Sequence, residues 1–185
     1  EKSAFMMSEM DFAVHPIGGV VPLMENQRYR ELVELIVASK SQLTPERPVH
    51  LFGCGHPILF PICIALGIDL FDSAAYALFA KDNRLLTPTG TIKLDEIKEW
   101  PHLSPALFSI TPSEVRNLPK DEKIELLARH NLHVTSAELA RCREAIRNNT
   151  LWNLVEQRSH ANPELREATL WLYENMPVDL VLNTP

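Results

Sequence analysis

The sequence predicts an α/β fold in which parallel strands alternate with helices. Three short apolar runs have the length and composition of buried strands, at residues 12–17, 49–52 and 68–71. Helical segments separate the runs, and glycines follow the first two. Strand, helix, strand, helix, strand is the order of parallel βα units. The runs are almost continuously apolar, which is typical of strands that are covered on both faces.

The elements of residues 1–80 follow from local signals. The first run stops at Gly18-Gly19, which suits a tight backbone turn. Apolar residues then recur at helical spacing over residues 26–43, with Asn26 as the expected N-cap. The second run closes at Gly53-Cys54-Gly55, a helix is expected over residues 57–66, and the third run ends at Asp72.

The pattern changes after residue 80. Residues 85–94, with Pro88-Thr89-Gly90 at their centre, predict a β-hairpin, and residues 100–112 are irregular. A helix is expected over residues 120–130. Thr135-Ser136-Ala137-Glu138 has the form of a capping box that opens a further helix to about residue 146. Two more helices are expected, over residues 151–161 and from the cap Asn162-Pro163 to about residue 175.

Three parallel strands make an incomplete sheet, because both edges would be apolar and unpaired. The sequence begins at Glu1 rather than at methionine. We therefore expect further strands, supplied by a longer chain, by a separate N-terminal half or by a second copy.

Composition and charge narrow the class of protein. No apolar run approaches the roughly 20 residues that a membrane span needs. The three cysteines form no close pair, and we expect reduced thiols in a cytoplasmic protein. The net charge of −6 argues against a protein that binds nucleic acid over its whole surface. Residues 81–158 are nearly balanced, so phosphate contacts are expected there, unless the charges form only a solvated surface. The candidates are Lys81, Arg84, Lys93, Arg141, Arg143 and Arg147.

Three ordered blocks carry a family resemblance. They read His-Pro-Ile-Gly-Gly-Val-Val-Pro-Leu-Met at residues 15–24, Pro-Val-His-Leu-Phe-Gly-Cys-Gly-His-Pro at 48–57, and Asp-Leu-Phe-Asp-Ser-Ala-Ala-Tyr at 69–76. With His130-Asn131-Leu132 and Leu151-Trp152, they resemble the archaeal tRNA-guanine transglycosylases. Those enzymes act in archaeosine biosynthesis and replace a guanine of the tRNA D-loop by a 7-deazaguanine base.

The resemblance implies the C-terminal half of a TIM (β/α)8 barrel, with about three parallel strands. Residues 1–80 would hold the last βα units, and residues 81–134 an insertion like the family's zinc subdomain in degenerate form. Residues 135–185 would hold the C-terminal helices of the barrel domain. The family's N-terminal half, which supplies a second catalytic aspartate and further groups for the base, is not represented.

The resemblance also implies the site. Asp72 corresponds to the nucleophile that forms a covalent intermediate with tRNA. The base-binding positions are Gly18, Gly19, Val20, Val21, Phe52 and Gly53. The residues alone leave other interpretations open: a helix-capping aspartate, a plain strand-to-helix turn, and a core phenylalanine.

This sequence departs most from the family pattern at the positions of the zinc site. The family carries Cys-x-Cys-x-x-Cys and a later histidine, and the same positions here are His102, Ser104, Leu107 and His130. Structural zinc needs four nitrogen or sulfur donors, so we expect no metal and no other cofactor. Apolar packing is expected to hold the insertion together instead, through Leu103, Leu107, Phe108 and Ile110.

The functional hypothesis is a tRNA-guanine transglycosylase, present as a split subunit or a fragment. Its expected partners are tRNA, the guanine or 7-deazaguanine base, and an N-terminal half or a second copy, with no membrane. The alternative is a non-catalytic tRNA-binding or scaffold subunit derived from a transglycosylase. A third possibility is a related tRNA-modifying enzyme with a decayed domain.

Overall fold

A three-stranded parallel sheet lies within residues 1–80, as the sequence predicts. The computed structural model describes residues 1–176. The strands are β1 (His15–Ile17), β2 (Val49–Leu51) and β3 (Leu70–Phe71), in the order β1-β2-β3. All three strands are shorter than predicted, and the first begins at His15 and the third at Leu70.

Helices and a hairpin account for most of the other described residues. Nine helices occur in this part of the chain: α1 (Lys2–Ser8), α2 (Val21–Glu25), α3 (Tyr29–Lys40), α4 (Phe60–Ala65), α5 (Ala75–Lys81), α6 (Pro112–Asn117), α7 (Lys120–Arg147), α8 (Leu151–Ser159) and α9 (Pro163–Asn175). The predicted hairpin is confirmed as β4 (Arg84–Thr87) and β5 (Gly90–Lys93), which pair in antiparallel register. No helix within residues 1–176 has both the length and the apolarity to span a membrane.

Two predicted helix starts are wrong. The helix expected over residues 26–43 forms as α3, but it begins only at Tyr29, because Gln27 adopts a left-handed backbone conformation with φ of 53° between α2 and α3. Asn26 is consequently the C-cap of α2 rather than an N-cap. The capping box at Thr135 opens no helix. Thr135 lies inside α7, where its Oγ1 donates to the carbonyl of Asn131 at 2.8 Å. Helix α7 therefore crosses the expected domain boundary at residue 134.

The cap predicted for the last helix is confirmed. The side-chain oxygen of Asn162 accepts the Leu165 N–H at 2.8 Å, and Pro163 occupies the first position of α9. Residues 177–185 of the expected C-terminal region lie outside the described residues.

The described helices cover only one face of the parallel sheet. On that face His15, Ile17, Val49 and Leu51 are buried against the main core, which α3, α4, α8 and α9 contribute to. On the other face, Pro16, His50 and Leu70 lie side by side in register. Pro16 and Leu70 are exposed. Residues 1–176 therefore supply the cover for only one of the two faces that the apolar strands predict to be covered.

A second, smaller core holds the insertion. Its buried residues are Ala80, Leu85, Leu94, Leu107, Val115 and Leu127. Leu107 and the partly buried Ile110 confirm their predicted packing. Leu103 and Phe108 do not, because they are 54% and 76% exposed. The short 3₁₀ turn Pro105–Leu107 places positions three apart on one side, so Leu107 is buried and its neighbour Phe108 faces outward.

Candidate active site

The carboxyl ends of the three parallel strands bring the predicted site residues to one edge of the sheet. Gly18-Gly19 follows β1, Phe52-Gly53 follows β2, and Asp72 follows β3. Parallel strands end on the same side, and α/β proteins place their ligand-binding and reactive groups there. The parallel register of the strands therefore brings these residues close together, although they are far apart in the sequence.

Asp72 is held by two hydrogen bonds to the neighbouring strand and its loop. Its Oδ1 accepts the Gly53 N–H at 2.9 Å and lies 2.9 Å from Nε2 of His50. The Asp72 side chain is 48% exposed. The alternative of a helix cap does not match this geometry, because the amide of Ala75 at the start of α5 donates to Ser73 Oγ instead.

Glycine is required in the loop that contacts Asp72. Gly53 has φ of +83°, and a Cβ at this position would lie 2.7 Å from Cγ2 of Val21. A side chain here would be strained by the backbone and would also collide with the start of α2. The close approach keeps the Gly53 N–H directed at the carboxylate.

The predicted base-binding segment after β1 presents backbone rather than side chains. Gly18 and Gly19 are exposed, and Gly19 has φ of +76°. The side chain of Val20 is fully buried, so only its backbone is available to a ligand. Val21 opens α2 and is 40% exposed, on the wall of the groove that Asp72 also lines.

Phe52 lies on the uncovered face of the sheet edge. Its side chain is 55% exposed, and its ring centroid is 4.9 Å from that of His50. The alternative of a core phenylalanine is not what residues 1–176 show. An exposed aromatic ring beside a half-exposed carboxylate offers a flat apolar surface on which a base can stack.

A groove runs from Asp72 to the start of the hairpin. Its volume is about 660 Å³, and its lining includes Glu25, Asp72, Lys81, Asp82 and Arg84. The guanidinium of Arg84 lies 4.2 Å from the ring centroid of Phe79 and 3.6 Å from the Asp82 carboxylate. Lys81 and Arg84 are thus the two phosphate candidates that line this groove.

His56 forms part of the groove wall as a neutral side chain. Burial, and secondarily the positive charge of Arg84, lowers the pKa of His56 to about 4. Its Nδ1 accepts the Ile58 N–H at 3.4 Å. A neutral ring adds no charge for a phosphate, so Lys81 and Arg84 supply the positive charge here.

The positions of the family's zinc ligands do not fit a metal. Leu86 carbonyl oxygen lies 3.1 Å from Nε2 of His130 and can only accept, so Nε2 carries the proton. Nδ1 then accepts the hydroxyl of Ser104 at 3.0 Å. Burial lowers the pKa of His130 to about 4, which keeps the ring neutral. Both nitrogens are therefore occupied, and Leu107 has no donor atom. The remaining ring, His102, lies 6.3 Å from His130 between centroids.

We predict that the protein binds no stoichiometric zinc, because this donor set cannot complete a tetrahedral site. Elemental analysis after washing with a chelator should find far less than one zinc per chain, and the chelator should leave the Tm unchanged. The matched control is the triple variant His102→Cys, Ser104→Cys, Leu107→Cys, which restores the family pattern and should bind about one zinc. Retention of about one zinc by the unsubstituted protein, with a lower Tm after chelation, would contradict the donor argument.

Two contacts at and near the candidate site were not predicted from the sequence. His50 bonds to Asp72 across two strands, and its only sequence signal is the alternation that places it on the same face as Phe52. The side chain of Asn131 joins the insertion to the sheet region. It accepts the Leu86 N–H at 2.7 Å and donates to the carbonyls of Tyr76 and Arg84.

A carboxylate, two glycine turns and an aromatic ring lie at the carboxyl edge of a parallel sheet, beside a groove that both acidic and basic residues line. The chain belongs to the queuine tRNA-ribosyltransferase family, whose sequence model matches residues 1–164.

Individual relatives are archaeal proteins that are named tRNA-guanine(15) transglycosylase. The chain is 51% identical to that of Pyrococcus abyssi over 166 residues, which are 90% of this chain and 28% of the relative. It is 53% identical to that of Methanocaldococcus jannaschii over 171 residues, which are 91% of this chain and 26% of the relative. These matches confirm the resemblance drawn from the sequence. The chain spans less than a third of the length of these relatives.

Proposed function

We propose that this chain forms the nucleophile-bearing part of a tRNA-guanine transglycosylase, a pentosyltransferase of archaeosine biosynthesis. The observation that carries the proposal is the geometry of Asp72. One carboxylate oxygen is fixed by two donors at a strand end, while the side chain remains half exposed beside a groove. The names of the relatives, which are about 50% identical, support the same reaction.

The proposed chemistry is base exchange at C1′ of a D-loop nucleotide. A carboxylate oxygen of Asp72 forms a bond to C1′ as the bond from C1′ to N9 of guanine breaks. The electron pair of that bond leaves with guanine, which takes up a proton at N9. The 7-deazaguanine base then attacks C1′ through its own ring nitrogen, loses the proton there and releases the Asp72 carboxylate. Two inversions retain the configuration of the ribose.

The base is proposed to bind between the two loops that flank Asp72. The exposed ring of Phe52 provides a stacking surface, and the exposed Gly18-Gly19 turn follows the neighbouring strand β1. Stacking on one aromatic ring contributes about 1–3 kcal/mol per base. The phosphates that flank the ribose are assigned to Lys81 and Arg84, because these line the groove that contains Asp72.

The uncovered face of the sheet is proposed to be the interior of a TIM barrel. Pro16, His50 and Leu70 form a row across the strands on this face, and residues 1–176 provide nothing to cover it. Further strands would cover the row and complete the mouth around Asp72. The preferred source is an N-terminal half of the same family, with a homo-oligomer as the alternative. A tRNA substrate supports a cytoplasmic location for the completed protein.

The test is complementation by the missing part of a relative. The chain replaces the matching 171-residue segment of the Methanocaldococcus jannaschii transglycosylase. We expect this chimera to incorporate labelled guanine into tRNA, and the isolated chain to incorporate none because half of the site is missing. The control is the relative with its own segment deleted, which should also be inactive.

The scaffold alternative is favoured by one observation, the loss of the zinc ligands. It predicts a different result in the same experiment. A chimera that melts cooperatively and binds tRNA but incorporates no guanine would contradict the transglycosylase proposal and support a binding subunit.

A further inference from the structure

His50 is placed between the candidate nucleophile and the candidate base platform. It is the middle residue of β2, and its neighbours Val49 and Leu51 are buried on the opposite face. The His50 side chain is 21% exposed. Its Nε2 lies 2.9 Å from Oδ1 of Asp72, and its ring centroid lies 4.9 Å from that of Phe52.

The two donors to Asp72 meet the same oxygen. The Gly53 N–H and the His50 Nε2–H both bond to Oδ1 at 2.9 Å. Oδ2 accepts no hydrogen bond from the described part of the chain. Two donors, one on a side chain and one on the backbone, restrict rotation of the carboxylate about its last torsion, which is otherwise broad. Oδ1 is therefore held by two hydrogen bonds, whereas Oδ2 is held by none from the described residues.

We propose that His50 is a positioning residue that holds Asp72 so that Oδ2 is presented to C1′ of the substrate. The proposal rests on the nucleophilic role of Asp72 given above. His50 requires a proton on Nε2, because a carboxylate oxygen can only accept. It transfers no proton in the reaction. Its contact with Phe52 sets the distance between the stacked base and the anchored carboxylate.

Removal of the donor should slow the bond-forming step rather than weaken tRNA binding. A small displacement of a reacting group costs up to about 10²-fold in rate. For His50→Phe we expect kcat to fall about 10- to 100-fold. The KM for tRNA should stay within about 2-fold, because the ring contacts protein groups. In His50→Gln the side-chain amide can place its N–H near the position of Nε2, so kcat should recover to within about 5-fold of the unsubstituted protein.

The experiment compares these two variants with the unsubstituted protein in the chimera described above. Single-turnover formation of the covalent tRNA adduct and steady-state guanine incorporation are measured, with melting curves to establish that each variant is folded. We expect a reduced kcat and a near-normal KM for tRNA in His50→Phe. We expect kcat to recover in His50→Gln. Unchanged kcat in folded His50→Phe, or a folded His50→Gln as slow as His50→Phe, overturns this inference alone. An unsubstituted chimera that folds and incorporates no guanine overturns the proposed function, and this inference with it.

Discussion

Asp72→Asn is expected to reduce guanine incorporation by about 10³-fold or more, as for other enzymes that lose a covalent nucleophile. The amide keeps the shape of the carboxylate and can still accept the Gly53 N–H. It is neutral, however, and its oxygen is a weak nucleophile toward C1′. The covalent adduct should disappear together with turnover. The dissociation constant for tRNA should change by less than about 3-fold, because the backbone phosphates provide most of the affinity.

Asp69→Asn is the control for this substitution. Asp69 lies three residues earlier and accepts the Val49 N–H at 2.8 Å, so it links β2 to the segment before β3. Its replacement should lower stability more than it lowers the rate of incorporation. Unchanged incorporation by Asp72→Asn would remove the nucleophile assignment. A loss of incorporation in both variants that parallels a loss of folding would show that the assay reports stability.

Arg158→Met is expected to lower the free energy of unfolding by about 3–5 kcal/mol, because it removes the two-pronged partner of a buried carboxylate. Arg158 Nε and Nη2 donate to the two oxygens of Glu138 at 2.7 and 3.0 Å. The Glu138 side chain is fully buried, and that of Arg158 is 8% exposed. The pair joins α7 to α8. Chemical denaturation at neutral pH measures the effect.

Arg147→Met is the matched control for the buried pair. Arg147 Nη1 lies 3.1 Å from Glu144 on the same helix α7, but both side chains are more than 60% exposed. Its removal should cost less than about 1 kcal/mol. A similarly small loss of unfolding free energy in Arg158→Met would contradict the prediction. It would show that water or the half-exposed Arg141, 3.4 Å away, stabilises the Glu138 carboxylate.

The elements with strong local signals are the ones that the sequence predicts correctly. The apolar runs, the hairpin around Gly90 and the Asn162 cap each depend on a few adjacent residues. The long helix α7 is misjudged at Thr135, because a capping box and a helix interior can carry the same residues. Glu138 does not cap a helix, since its carboxylate accepts hydrogen bonds from Arg158, twenty residues away.

The residue types of the candidate site can be predicted from the sequence, but the contacts between them cannot. Asp72 and the glycines come from the family resemblance and from their place after apolar runs. The bond from His50 to Asp72 depends on the register of β2 with β3, which no local pattern encodes. The hydrogen bond between Ser104 and His130, positions where the family has zinc ligands, likewise joins residues 26 positions apart.

The most direct test of the proposed nucleophile is to identify the residue that becomes attached to tRNA. The chimera is incubated with tRNA without added base, denatured, treated with nuclease and protease, and analysed by mass spectrometry. We expect a ribonucleotide attached to the peptide that contains Asp72, and specifically to its carboxylate. Attachment to a different carboxylate, or full incorporation of guanine with no attachment to Asp72 at any time during turnover, would contradict it.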